Sequence, residues 1–400
     1  MSGVTQVVTP SEKRAFHTRL THTIEVAQVA RRLAEAVTKD KGGAKLAEEL
    51  GGVDPDVAEA AALAHDLGHP PFGHIAEKEL NKLVSAERDW DGFEGNAQSF
   101  RIVTKLALRH TSIEGLNLTR ATLNAILKYP WTRKPSGFGS VKWGAYTSEG
   151  EDLRFAREGY RDGDETKSIE AELMDWADDI AYAVHDVEDF YRGHVIPLDR
   201  VVSDRKERDR FLEAALRILR NKTPYADEDL IRAFNELIED APITHPYQGT
   251  RFQRANLRSF TAGLIGRYVK GTRLRQPTHD NRRPLDIDPI NLDMEVRMLK
   301  ALTGHYVIGN PALKALQYGQ RKVIHELYDT LNMAADSDDP DDFEIFPLAY
   351  QEELAEATDK RSRRRVVVDL IASLNDQQAF AFHQRLMGLA PGSEMDIIEP

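Results

Sequence analysis

Apolar residues recur along most of the chain at spacings of three and four, and strict alternation is scarce. From Leu20 to Val37 they fall at Val26, Val29, Leu33 and Val37, one face of a helix. Asp54 followed by Pro55 marks the next start, an N-cap ahead of a proline that needs no amide donor there. That helix runs through Val57, Ala60, Ala61 and Ala64 until Gly68, Pro70 and Pro71 end it. A further helix begins near Gly73 with Ile75 and Leu80, and another covers Ala97 to Leu108. A long one spans about Ile169 to Tyr191, with Leu173, Ala177, Ile180, Val184 and Val187 inward. Between Tyr129 and Gly163, Trp, Pro, Gly and charge replace the periodicity. This predicts a long irregular insertion with room for a short hairpin, and a candidate substrate-facing loop. Beyond Asp204 the helical pattern returns, broken at 221–228, 241–250, 273–292 and 335–347. The expected fold is all-α: a helical bundle in residues 1–200 and a helical C-terminal part in 201–400.

Composition narrows the chemistry. With no cysteine, disulfides, thiol catalysis, zinc fingers and iron–sulfur clusters are excluded, so any metal must be held by His, Asp or Glu. Lys+Arg 53 against Asp+Glu 65 gives a net charge of −12, which disfavours bulk steering toward nucleic acid but allows a local basic pocket. No apolar run reaches the roughly 18 residues of a membrane span. The start MSGVTQVVTPSEKRAF has no signal-peptide core, so a soluble cytoplasmic protein is expected.

One segment concentrates reactive side chains: His65-Asp66-Leu67-Gly68-His69-Pro70-Pro71-Phe72-Gly73-His74, with Glu77 close behind. The dipeptide His-Asp recurs at His185-Asp186 and His279-Asp280, but only at His65-Asp66 does it close an alanine-rich helix and enter a turn with more histidines. His69 lies one helical turn from His65. His22 falls on the apolar stripe of its own helix, so it is either a satisfied core residue or a ligand, and His65-Asp66 favours the ligand. Asp178 opens a polar ridge with Tyr182, His185 and Asp186 along an otherwise apolar helix, and buried polar groups need partners. A shared metal would supply one. Two imidazoles and two carboxylates suit Mn²⁺, Fe²⁺, Co²⁺, Ni²⁺ or Zn²⁺ better than Ca²⁺.

The set His22, His65-Asp66 and Asp178 resembles the H…HD…D signature of HD-domain metal phosphohydrolases. More narrowly, the chain resembles bacterial deoxyguanosinetriphosphate triphosphohydrolase-like proteins. The resemblance is carried by RLTHTIEVAQVAR, AALAHDLGHPPFGHIAEKEL, FEGNAQSFRI, LKYPW, ADDIAYAVHDVED and RRRVVVDLIASLNDQQA, from about Ser11 to the region of Leu386. In the last piece the family pattern is nearer DYIAGMTD, where this chain has DLIASLND.

The resemblance implies an HD-domain bundle with a C-terminal helical extension that completes the site and supports assembly. It implies conversion of a dNTP to deoxynucleoside and inorganic triphosphate, with a divalent metal (Mn²⁺ or Mg²⁺ first) on His22, His65, Asp66 and Asp178. His74 and Glu77 are the implied catalytic pair, and His69 a phosphate contact or support. Arg19 is implied to bind triphosphate oxygens, Tyr182 to pack on the sugar and Asp186 to accept from the 3′-hydroxyl. Asn96 and Gln98 are candidate pocket residues, and Lys128, Arg133 and Lys142 candidate sources of positive charge. A homo-oligomer, tetramer or hexamer, is expected, with an activating dNTP at a second site as an open option. Two alternatives stand beside this: a regulator that binds nucleotide or single-stranded nucleic acid, and a nucleotidase releasing monophosphate or pyrophosphate. The basic run Arg361, Arg363, Arg364, Arg365 is left unassigned. A phosphate loop GxxxxGK[ST] is absent, His325-Glu326 does not continue to HExxH, and Gly137 and Gly139 lack Rossmann spacing.

Overall fold

The computed structural model describes residues 18–39, 41–85, 91–134, 142–239, 241–278, 282–287 and 291–390. The expectations for the N-terminal residues, Gly137, Gly139 and His279-Asp280 lie outside the described residues. The first half holds α1 (Arg19–Val37), α2 (Lys41–Glu49), α3 (Pro55–Ala64), α4 (His74–Ser85), α5 (Gly95–Arg101), α6 (Arg120–Ile126), α7 (Gly150–Ala156) and α8 (Ile169–Arg192). A π-helical turn, Ile102–Leu106, prolongs α5. The second half adds α9 (Leu198–Ser203), α10 (Arg205–Leu219), α11 (Asp227–Glu239), α12 (Arg251–Gly271) and α13 (Asn291–Thr303). It ends with α14 (Pro311–Ala335), α15 (Pro340–Phe343), α16 (Leu348–Glu356), α17 (Lys360–Ser373) and α18 (Asp376–Leu386). Strands β1 (Thr272–Leu274) and β2 (Leu285–Ile287) pair antiparallel, Arg273 opposite Asp286, inside the 273–292 break.

The fold is all-α apart from that ribbon. Thr18 caps α1, Asp54 caps α3 and Ser168 caps α8, each accepting from a main-chain N–H of the first turn. Helices α2 and α7 escape the periodicity argument for one reason. Ala47 is the single buried residue of α2 and Ala156 that of α7, so neither carries an apolar stripe. Helix α7 corrects part of the irregular reading of 129–163, and no hairpin occurs there among the described residues, only an isolated bridge between Thr132 and Ala145. The acidic loop near Pro340 contains the one-turn α15.

Packing divides into two main cores. In the larger, α1, α3 and α8 meet through small residues: Ala27, Ala30 and Ala34, then Ala58, Ala61 and Ala62, then Ala177 and Ala181. Methyl side chains let the axes approach closely, and larger residues such as Leu33, Leu173 and Trp176 fill the flanks. Helices α10 to α13 join the same core through Phe211, Phe234, Leu264 and Met298. The smaller core buries Phe72, Ala76, Leu80 and Val84 of the α4 segment against Val323, Leu327 and Leu331 of α14 and Val367, Leu370 and Ile371 of α17. Each fully buried Leu or Val contributes about 1.5–3 kcal/mol. Helix α4 is therefore seated on the C-terminal helices, whereas α1, α3 and α8 are seated on one another.

Candidate active site

Three helices of the larger core each deliver one metal-type ligand. His22 sits on the first turns of α1, His65 ends α3 and Asp178 lies mid-way along α8, and their ligand atoms all fall within 4.8 Å of one another. His22 Nε2 is 3.1 Å from Asp178 Oδ1. His65 Nδ1 is 2.6 Å from the Ala62 carbonyl. That contact fixes the ring and leaves Nε2 facing the group, buried and without a hydrogen-bond partner. His65 Nε2 lies 3.6 Å from Asp66 Oδ1 and 3.7 Å from Asp178 Oδ1.

Two buried carboxylates, Asp66 and Asp178, meet the imidazoles here, each also paired with a cation, Arg19 and Lys128 respectively. Burial alone would lower the His65 imidazole, but the Asp66 charge and then Asp178 outweigh it and raise it to about 9. Burial also opposes ionisation of Asp178, yet Lys128, His22 and His65 hold its carboxyl well below the usual range. Against the same burial, His69, His65 and Arg19 hold Asp66 low. A buried pair of carboxylates with two imidazoles selects a cation. The orphaned His65 Nε2 and the N/O donor set fit a divalent metal. Asp66 stands beside this group, with Oδ2 accepting from Arg19 Nη1 at 2.7 Å and Oδ1 3.0 Å from His69 Nδ1.

A second group faces the first across the turn 65–74. His74 Nδ1 is 2.7 Å from Glu77 Oε2, and the His69 and His74 rings lie 5.3 Å apart, edge to face. Although burial pushes the other way, the His74 hydrogen bond, His69 and Lys142 hold Glu77 far below the carboxylate range. Lys142 Nζ spans Glu77 Oε1 at 3.1 Å and Glu94 Oε1 at 3.0 Å. Glu77 is buried, while the His74 side chain keeps 65 % of its surface in the cavity mouth.

His65 and Asp178 of the first group and His69 and His74 of the second line one cavity of about 450 Å³, with His22 and Glu77 buried behind them. Arg19, His65, Asp66, His69, His74, Asn96, Asp178 and Tyr182 of the expected residues are on its wall, as are Lys128 and Lys142. Lys128 donates to Asp178 Oδ2 at 3.1 Å and pairs with Asp175 at 2.7 Å. Lys300 lies over the Tyr182 ring at 5.5 Å.

Five expected residues are off the wall: His22 and Glu77 are buried behind it, and Gln98, Asp186 and Arg133 lie elsewhere. Gln98 is 1 % exposed and points to α17, its Nε2 donating to Asp369 at 2.7 Å and its Oε1 accepting from Tyr146 at 3.1 Å. Both ends of its amide are thus engaged away from the cavity wall. Asp186 is buried one turn beyond Tyr182 and is not on the cavity wall. Arg133 lies over the Trp143 ring and donates to Ser85, away from the cavity wall. His185 pairs with Glu25 at 3.5 Å, and of the basic run Arg365 lies 3.8 Å over the Tyr146 ring and Arg361 3.7 Å from Asp91.

The sequence did not mark Phe72, Ile75, Lys78, Tyr129, Ile308, Lys314 and Gln317 as wall residues. Lys78 follows His74 by four residues, which is a usable signal. Lys314 and Gln317 come from α14, where no motif marks them.

Glycine explains how the two motif segments interlock. A Cβ on Gly68 would meet Ser99 N at 2.2 Å and Gly95 O at 2.4 Å, and a Cβ on Gly95 would press the His69 ring at 3.3 Å. Ser99 Oγ accepts from Gly68 N and donates to the His65 carbonyl, both at 2.9 Å. Glu94 caps α5 by accepting from Asn96 N and Ala97 N, and Arg101 joins Gln98 on Asp369.

Helical bundle, candidate ligand group and His–carboxylate pair together fit the HD-domain class of phosphohydrolases. Residues 19–183 match the HD domain, and residues 289–385 match the phosphohydrolase-associated domain. The chain is 39% identical to a deoxyguanosinetriphosphate triphosphohydrolase-like protein of Streptomyces coelicolor, across 97% of this chain and 89% of that one. It is 36% identical to the like-named protein of Corynebacterium efficiens, across 98% and 88%, and 34% to that of Bifidobacterium longum, across 92% and 75%. The chain belongs to the deoxyguanosinetriphosphate triphosphohydrolase-like family. Among the described residues no helix is long and apolar enough to cross a membrane.

Proposed function

We propose that the protein hydrolyses deoxynucleoside triphosphates to deoxynucleoside and inorganic triphosphate. The observation that supports this most is one cavity whose wall carries His65 and Asp178 of the ligand group together with His69 and His74 of the second group, with His22 and Glu77 buried behind them. A divalent ion, Mn²⁺ or Mg²⁺, held by His22, His65 and Asp178 with Asp66 alongside, would polarise an α-phosphate oxygen and acidify bound water.

The chain's own groups do the rest. Arg19, Lys78, Lys142 and Lys314 put positive charge on the cavity wall, where the triphosphate chain binds. Water adds to the α-phosphorus and the bond to the 5′-oxygen breaks. His74, held through Nδ1 by the ionised Glu77, presents Nε2 and moves the proton at the reacting phosphate. Glu77 fixes the ring's orientation and stabilises its cationic form. His69 supports Asp66 and faces the His74 ring. Tyr182 packs against the sugar and leaves no space for a 2′-hydroxyl. Within one chain the C-terminal half contributes Ile308, Lys314 and Gln317 to the cavity wall, and a homo-oligomer is part of the same proposal.

Product analysis tests the proposal. With Mn²⁺ and each dNTP in turn, ion chromatography should find triphosphate and an equal amount of deoxynucleoside, with rNTPs left intact. Release of pyrophosphate or orthophosphate, or equal turnover of rNTPs, would overturn it.

A further inference from the structure

His74 is the first residue of α4, and what fixes it in front of the cavity lies far away in the chain. Phe72 and Gly73 before it both adopt left-handed backbone, with φ of 64° and 61°. Glycine does so freely. A phenylalanine there is strained and keeps the conformation only where its surroundings hold it.

Two contacts from α18 hold it. Phe72 N–H donates to Asp376 Oδ1 at 2.9 Å across 304 residues of sequence, and the Phe72 ring lies 4.9 Å from that of Phe380. Asp376 is 3 % exposed, and Phe72 is itself part of the cavity wall. The α18 start is secured separately by Asn375 and Gln378, which form a capping box, so Asp376 is not needed as a cap. The rest of the α4 inner face rests on α14, which in turn packs on α17, while His22, His65 and Asp178 belong to helices of the other core. The ligand group and the His74–Glu77 pair thus stand on separate packed bodies, with α18 tying the turn between them.

We propose that Asp376 is a positioning residue that locks the Phe72–Gly73 turn and so sets His74 opposite the ligand group. The C-terminal helices then govern turnover and leave metal binding alone. The kinetic part of this rests on the hydrolase reading; the structural part does not.

Full-length Asp376→Ala, Asp376→Asn and Phe380→Ala test it by three readouts: amide exchange of the 68–76 peptide, Mn²⁺ affinity, and kcat and KM for a dNTP. In Asp376→Ala the turn should exchange at least about tenfold faster, since its protecting acceptor is gone. Its kcat should fall about 100-fold, the scale of a 1 Å misplacement, with KM changed far less. Mn²⁺ affinity should stay within about twofold. Asp376→Asn, whose amide oxygen accepts the same bond, should restore exchange and kcat toward wild type. Wild-type exchange and kcat in Asp376→Ala overturn the proposal. So does an Asn variant as impaired as the Ala variant, or a parallel loss of Mn²⁺ affinity. Should Asp376→Ala fail to fold, Phe380→Ala decides on the same terms: faster exchange with intact Mn²⁺ binding supports the lock, and an unchanged turn refutes it. If the wild type hydrolyses no dNTP, the hydrolase reading fails while exchange and Mn²⁺ binding still judge the lock.

Discussion

An alanine at position 68 should pull the two motif segments of the site apart. Its Cβ would stand 2.2 Å from Ser99 N, 2.4 Å from Gly95 O and 2.5 Å from Gln98 C. Ordinary contact begins at 3.4 Å, so the turn and α5 must separate by about 1.2 Å (3.4 less 2.2). All three atoms are main chain, and no side chain can swing aside. The shift would also stretch the Gly68–Ser99 and Ser99–His65 hydrogen bonds, both 2.9 Å long. Overpacking costs about 1–3 kcal/mol. Two lost bonds add about 1 kcal/mol each, for a total near 3–5 kcal/mol. A displacement of about 1 Å between His65-Asp66 and the pocket wall should cost on the order of 100-fold in turnover. Urea unfolding and Mn²⁺-dependent dNTP hydrolysis measure the two effects. Gly263→Ala is the control, because that exposed position of α12 has nothing within 4 Å. It should gain about 0.5–1 kcal/mol from helix propensity. A Gly68→Ala protein as stable and as active as the control would refute the close-packing account.

Further outcomes follow from single residues. Glu295 is buried on α13, and burial outweighs the Arg267 cation 2.6 Å away and pushes it from 4.5 up to about 7. The folded state holds this proton more tightly than the unfolded chain. The stability it contributes is therefore whole below pH 4.5 and lost as pH rises through about 7. Unfolding free energy should drop by at most about 3 kcal/mol over that window, and Glu295→Gln should flatten the slope. Tyr182→Ala should narrow the dNTP-over-rNTP preference by about 10–100-fold in kcat/KM, the scale on which a pocket rejects one extra hydroxyl. An unchanged ratio would remove Tyr182 from sugar selection.

The sequence displayed the ligand types plainly, because metal chemistry without cysteine leaves few residues to choose from, and His22, His65 and Asp178 converge as their patterns imply. Direction around a helix was harder to read. Asn96 and Gln98 are two positions apart, about 200° around the axis, so only one of them can face the cavity. Asn96 does, and Gln98 is drawn to Asp369, a partner 271 residues away. Asp186 lies about 80° around α8 from Asp178, whereas Tyr182 lies about 40° around, which is why the tyrosine reaches the wall and the aspartate does not. Lys314 and Gln317 belong to the site only because α14 packs beside α4, and no local pattern records that. The same holds for Asp376 and Phe72: their bond is a product of the smaller core, invisible in either segment alone.

We propose that His22, His65 and Asp178, from three helices, hold one divalent cation, and metal titration is the test. Mn²⁺ binding followed by electron paramagnetic resonance should show one tight ion per wild-type chain. That ion should be lost in His65→Ala and in Asp178→Ala and kept in His74→Ala. Tight Mn²⁺ binding that survives in His65→Ala, or that disappears only in His74→Ala, would contradict the account.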